Sequence, residues 1–161
     1  MEGGTMESYM NRISNTGIVP VVKILEKEDA YPLAKALLNG GIDVIEVTYR
    51  SEHATSAIQT ISEQLPDMLV GAGTVLSVEQ AKEAVEAGAK FIITPGFNTK
   101  VVQWCLDHDV EVYPGVSTSS EVEMALSMGL TQLKFFPAES SGGAKKLKDL
   151  SAPYANVHFM P

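Results

Sequence analysis

Cysteine is almost missing from this chain. Its 161 residues hold one, Cys105, which rules out an internal disulfide and suits a reducing compartment. The neighbours Val101, Val102, Trp104 and Leu106 read as a helix face, where a lone thiol packs rather than reacts. Long apolar runs are missing as well. No stretch approaches the ~20 residues that a membrane span requires. Cations are few: 12 Lys and Arg stand against 20 Asp and Glu, giving a net charge of −8. That balance excludes a sequence-independent binder of nucleic-acid backbone. Neither a nucleic acid nor a membrane is expected as partner. A small anionic substrate stays open, because a few local cations decide that. The opening MEGGTMESYMNR has no basic-then-apolar signal pattern, so a cytoplasmic location is expected. Its first four or five residues read as a frayed end or a cloning remnant.

Two further absences narrow the fold and the chemistry. Neither G-x-G-x-x-G nor G-x-x-x-x-G-K-[ST] follows any apolar run, which removes the main support for a nucleotide-binding sheet. The three histidines, His53, His108 and His158, have no His or Cys partner at ligand spacing. No metal and no other cofactor is therefore expected.

What is present is one repeated unit. A helical stretch ends at glycine and an apolar, β-rich run follows. Asn39-Gly40-Gly41 precedes Ile42 to Thr48, Ala87-Gly88-Ala89 precedes Phe91 to Pro95, and Met128-Gly129-Leu130 precedes Leu133 to Pro137. Glycine just past a helix is the usual C-terminal cap. Leu33, Ala36, Leu37 and Leu38 fit one helix face, as do Ala81, Ala84 and Val85. Ser77 and Ser119 mark helix starts, with acids in the first turn. Strands are predicted near residues 18–23, 43–49, 68–74, 90–95, 110–114, 131–136 and 156–160. Strands alternating with helices through short loops imply a parallel sheet. The steady rhythm favours a (βα)8 TIM barrel over a doubly wound sheet. With seven strands in residues 1–161, the expectation is a single barrel domain, incomplete at its C-terminal end.

The active end of such a barrel is where its strands exit. Lys134 lies inside the apolar run Leu133-Lys134-Phe135-Phe136-Pro137, at the sixth exit. Desolvation there disfavours the ammonium form and favours a nucleophilic amine, as Schiff-base chemistry requires. The plainer alternative is a strand-end lysine that snorkels to solvent. Lys23, at the first exit, is the rival amine, but Ile24-Leu25 leaves the strand there. At the second exit, alternation puts Glu46, Thr48 and Arg50 on one face. They face the interior if Ile45, Val47 and Tyr49 pack against helices. The small residues Gly71-Ala72-Gly73 precede Thr74 at the third exit and let a ligand or backbone approach closely. Thr94-Pro95-Gly96 and Pro114-Gly115-Val116-Ser117 read as strand-to-loop punctuation. Phe136 shares the inward parity of Lys134, and Phe135 faces out. An amine can attack a ketone, a carboxylate can move protons, and a guanidinium can hold a carboxylate bidentately. Together these groups suit aldol cleavage of a 2-keto acid. Lys145, Lys146 and Lys148 read as a solvated helix face.

The segments GIVPVV, GGIDVIEVTYR, VGAGTV, FIITPG, YPGVST and LKFFPAE come in that order. This pattern resembles the bacterial class I aldolases for 2-keto-3-deoxy-6-phosphogluconate and 4-hydroxy-2-oxoglutarate. The resemblance implies a (βα)8 barrel that assembles as a homotrimer and needs no metal. It implies a Schiff base on Lys134 and proton transfer by Glu46 through water. Arg50 and Thr74 match the groups that bind the pyruvyl carboxylate, and Pro95 and Phe136 match positions lining the pyruvate pocket. Family members continue past the seventh strand with a Thr- and Gly-rich loop, an eighth strand and a helix, which hold the substrate phosphate. The expected activity is therefore cleavage to pyruvate and glyceraldehyde 3-phosphate. The alternatives are an aldolase for another 2-keto acid, a phosphate-binding barrel isomerase, or a truncated non-catalytic paralogue.

Overall fold

The computed structural model describes residues 9–161, so readings of the first eight residues lie outside the described part. Seven parallel strands form one sheet in chain order. They are β1 (Val21–Val22), β2 (Val44–Thr48), β3 (Leu69–Gly73), β4 (Phe91–Thr94), β5 (Glu111–Val116), β6 (Gln132–Phe135) and β7 (His158–Met160). Helices α2 (Ala30–Asn39), α3 (Ala54–Gln64), α4 (Val78–Glu86), α5 (Thr99–Asp107), α6 (Ser119–Ser127) and α7 (Gly143–Ser151) fill the connections after β1 to β6. A first helix, α1 (Tyr9–Thr16), precedes the sheet. Each predicted strand is found. Gly88 and Gly129 end their helices in the left-handed conformation, with φ of 109° and 80°, where L side chains are strained.

The strands bury residues on both faces, as parallel sheets do. The outward face of the first strands meets α2 to α5. Ile45, Val47, Val70, Ala72, Ile92 and Val112 pack there with helix residues such as Ala34, Ile58 and Ala84. The outward face of β6 meets α6 and α7, where Leu133 and Phe135 pack with Val122, Ala125 and Leu150. The inward face forms a separate cluster of Val44, Leu69, Phe91, Ile93 and Tyr113, closed at one end by Ile13 of α1. A helix on each connection and an enclosed apolar interior are marks of a sheet that curls.

Two strands depart from expectation. β1 keeps only two paired residues, Val21 with Glu46 and Val22 with Val47. Pro20 accepts from Glu46 N at 2.9 Å but has no N–H to extend the ladder. β5 runs beyond Pro114, because Gly115 and Val116 pair with Lys134 and Phe135. The Pro114-Gly115-Val116 stretch is therefore strand, not loop punctuation. The neighbouring loop crosses it at close range, and a Cβ on Gly115 would lie 2.2 Å from the Pro95 carbonyl oxygen.

Between β1 and β7 the sheet is open. A cavity of about 850 Å3 lies there, bordered by α1, β1, β7 and α7. Val21 is 52% exposed on that edge. Among the described residues no helix is long and apolar enough to cross a membrane.

Candidate active site

β2 places the two halves of an alternating strand as its sequence requires. Ile45 and Val47 are wholly buried towards the helices, and Tyr49 follows them, its hydroxyl 3.1 Å from Thr55 Oγ1. Glu46 and Thr48 therefore point the other way, into the curl of the sheet. Thr48 is fully buried and donates from Oγ1 to the Val22 carbonyl at 2.8 Å. Arg50 continues the parity into solvent, with Nε 3.4 Å from Thr48 Oγ1. On β6, Phe135 packs outward and Lys134 points inward.

Lys134 Nζ lies 3.5 Å from Glu46 Oε1, with the side chains 15% and 3% exposed. In a flat sheet, β2 and β6 would stand roughly 19 Å apart at ~4.8 Å per strand. The contact across four strand spacings therefore fixes the curl and brings the predicted amine and carboxylate together. Burial pushes the Glu46 carboxyl above its ordinary value, against the opposing pull of Lys134 and Arg50. Its Oε1 is buried and has no hydrogen-bond partner. The 3.5 Å contact is thus an ion pair at long range rather than a well-formed hydrogen bond.

The other predicted residues occupy neighbouring strand exits. Phe136 is exposed, and Lys134 Nζ lies 5.2 Å from its ring centroid. Thr74, half-buried, follows β3 with a φ of 54°. Gly73, its neighbour, stands opposite Thr48 in the β2–β3 ladder. Pro95, also half-buried, follows β4 and its carbonyl lies against Gly115, which pairs with Lys134. Lys23 is exposed beyond the end of β1, whereas Lys134 sits against an acid. Cys105 is wholly buried in α5, and burial pushes its thiol up to about 12. That fits packing and not reactivity. Among the described residues, no three His, Cys, Asp or Glu side chains gather as a metal-ligand group.

Some of the site escaped the sequence reading. Gly73 is packed by Glu46 itself: a Cβ there would fall 1.8 Å from Oε1. The small-residue run at the end of β3 was the available signal. Thr48 was placed on the correct face, but its bond to Val22 spans two strands and no local spacing encodes it.

A curled parallel α/β sheet thus holds an inward lysine against an inward carboxylate. The model for the family "KDPG and KHG aldolase" matches residues 9–161. A 2-dehydro-3-deoxy-phosphogluconate aldolase from Treponema pallidum is 46% identical over 156 residues, covering 97% of this chain and 74% of the relative. The KHG/KDPG aldolase of Escherichia coli is 43% identical, covering 92% of this chain and 70% of its own. Among solved structures, a KDPG aldolase from Legionella pneumophila holds pyruvate captured as a covalent carbinolamine intermediate. It aligns with a TM-score of 0.86 at 42% identity, covering 89% of this chain and 69% of that one. The chain belongs to the KDPG and KHG aldolase family. It is accordingly an aldolase, a carbon–carbon lyase.

Proposed function

We propose that the protein is a class I aldolase that cleaves 2-keto-3-deoxy-6-phosphogluconate to pyruvate and glyceraldehyde 3-phosphate. The observation that carries this reading is the buried 3.5 Å approach of Lys134 and Glu46 inside the curled sheet. Lys134 attacks the C2 carbonyl, and the carbinolamine loses water to give an iminium. Glu46, acting through water, removes the proton of the C4 hydroxyl. The C3–C4 bond then breaks, its electron pair passes to C3 as an enamine, and the aldehyde leaves. Protonation at C3 and hydrolysis of the iminium release pyruvate and restore the amine. A carboxyl raised by burial suits this work, because an efficient proton carrier titrates nearer the working pH than an ordinary glutamate.

Arg50 and Thr74 bind the substrate carboxylate, and Pro95 and Phe136 line the pyruvyl pocket. Their places at four strand exits support these roles. The open edge between β1 and β7 supports a single (βα)8 barrel domain in which an eighth strand pairs with both. The family resemblance implies backbone amides as the groups that hold the substrate phosphate. The same resemblance supports a homotrimer in the cytoplasm.

Pyruvate release from 2-keto-3-deoxy-6-phosphogluconate tests the reading. Lys134→Met should abolish turnover, and a variant that still releases pyruvate at the native rate refutes it. The native enzyme should show a higher kcat/KM for this substrate than for 4-hydroxy-2-oxoglutarate. The reverse order would reassign the substrate.

A further inference from the structure

The space beside Gly73 is occupied by the side chain of another residue. A Cβ there would lie 1.8 Å from Glu46 Oε1, 2.5 Å from Cδ and 2.6 Å from Cγ. The backbone itself does not ask for glycine. Gly73 has no left-handed φ and stands in a regular ladder position opposite Thr48. Its carbonyl accepts from Tyr49 N at 2.8 Å, so the main chain cannot easily recede. Only the missing side chain distinguishes glycine from alanine here.

The carboxylate has few other restraints. Glu46 Oε1 lacks a hydrogen-bond partner, and its ion pair is long. Packing therefore determines where it sits. A second glycine shapes the layer next to it, since Gly71 pairs with Glu46 in the ladder. The Phe91 ring fills the volume against Gly71, 2.0 Å from where a Cβ would stand. With that neighbouring volume already filled, a carboxylate displaced from Gly73 has little room to move deeper.

We propose that Gly73 is a positioning residue for the aldol reaction, its absent side chain forming the seat that holds the Glu46 carboxylate against Lys134. The inference rests on the reading of Glu46 as the proton carrier. A Cβ at Gly73 would force the carboxylate away by more than about 1 Å, and a misplacement of that size costs roughly 10²-fold in rate. Alanine at position 46 removes all three of these atoms, Cγ, Cδ and Oε1, and clears the obstruction.

The test compares Gly73→Ala, Glu46→Ala and their combination with the native protein, all in the full chain. Gly73→Ala should lower kcat about 10²-fold, with little change in KM for the 2-keto acid. Glu46→Ala should raise the thermal midpoint more in the Gly73→Ala background than in the native protein, because it removes the atoms that the new methyl meets. An effect no larger in the Gly73→Ala background, or a fully active Gly73→Ala, overturns the proposal. A readout independent of turnover is the titration of the Glu46 carboxyl, followed by 13C NMR. It should move in Gly73→Ala, and an unmoved titration also overturns the proposal. If Gly73→Ala unfolds, the added Glu46→Ala change must restore a folded protein with a measurable thermal midpoint, and failure to do so overturns the proposal. Glu46→Gln is measured in parallel. Near-native turnover there removes Glu46 from catalysis, while the NMR titration still decides whether Gly73 seats it.

Discussion

Glu46 is an acid that the fold has taken out of water, and its raised carboxyl titration links catalysis to stability. The folded state holds this proton to a higher pH than the unfolded chain does. Between the ordinary value of 4.5 and the raised one, the native state binds more protons, so stability falls as pH rises. Glu46→Gln removes that dependence. Its thermal midpoint should decline less than the native one from pH 4.5 upward, and parallel profiles would contradict the burial argument. In turnover, the same variant should lose roughly 10²–10⁴-fold while still binding pyruvate. Arg50→Ala should instead raise KM for the 2-keto acid and leave kcat less affected. Equal losses in kcat and kcat/KM would place Arg50 in proton transfer or transition-state stabilisation. At this scale much of the site was legible. Parity alone put Glu46, Thr48 and Lys134 on inward faces, because the period of a strand is 2. The seat at Gly73 was not legible, since it depends on a clash between two strands.

Among the elements, α1 is the one that the sequence did not announce. Its residues YMNRISNT contain a single buried side chain, Ile13, and no repeat boundary precedes them. Ile13, Tyr9 and Met10 pack on the inward apolar cluster, and polar bonds add to that hold. Arg12 Nε donates to Asp43 Oδ2 at 2.7 Å, and its Nη2 donates to the carbonyls of Asp43 and Asp67. Thr16 Oγ1 donates to Asp43 Oδ1 at 2.5 Å. At the helix start, Tyr9 N donates to Glu111 Oε1 at 2.9 Å. The Thr16 hydroxyl, then Arg12, hold the Asp43 carboxyl below its ordinary value. The bridge is more than a third exposed, so solvent screens it and Arg12→Ala should cost about 1 kcal/mol or less. Because Asp43 is depressed, that contribution is present above its ordinary value of 3.8 and fades as pH falls below it. Urea unfolding of native and Arg12→Ala protein at pH 7 and pH 3 should show the difference shrinking in acid. A gap that widens in acid would contradict this.

Helix boundaries show a smaller limit of the sequence. Ser77 caps α4, accepting from Gln80 N. For α6 the cap is Thr118 and not Ser119, because Glu121 returns a bond to Thr118 N and closes a capping box. In α2, Ala34 is buried and Ala36 exposed. The apolar run there is broad enough that composition alone did not fix the facing residue.

For the whole molecule, the parallel direction of the strands followed from the repeat, since strands joined by helical crossovers run parallel. The curl did not follow from it. The same repeat describes a doubly wound sheet, and the steady rhythm, the missing nucleotide-binding glycine motifs and the order of the family-like segments favoured a barrel. The 3.5 Å approach of residues on β2 and β6 is the feature that separates the two. The homotrimer, proposed from the family resemblance, is tested by mass. Sedimentation of the full chain should give three times the monomer mass, and a strictly monomeric active enzyme would contradict the trimer.

The proposed chemistry turns on a covalent iminium between Lys134 and a 2-keto acid. Its most direct measurement is borohydride reduction in the presence of pyruvate, followed by peptide mass mapping. A stable adduct should form on the peptide carrying Lys134 and be lost in Lys134→Met. Absence of any adduct, or an adduct mapped to Lys23, would contradict it.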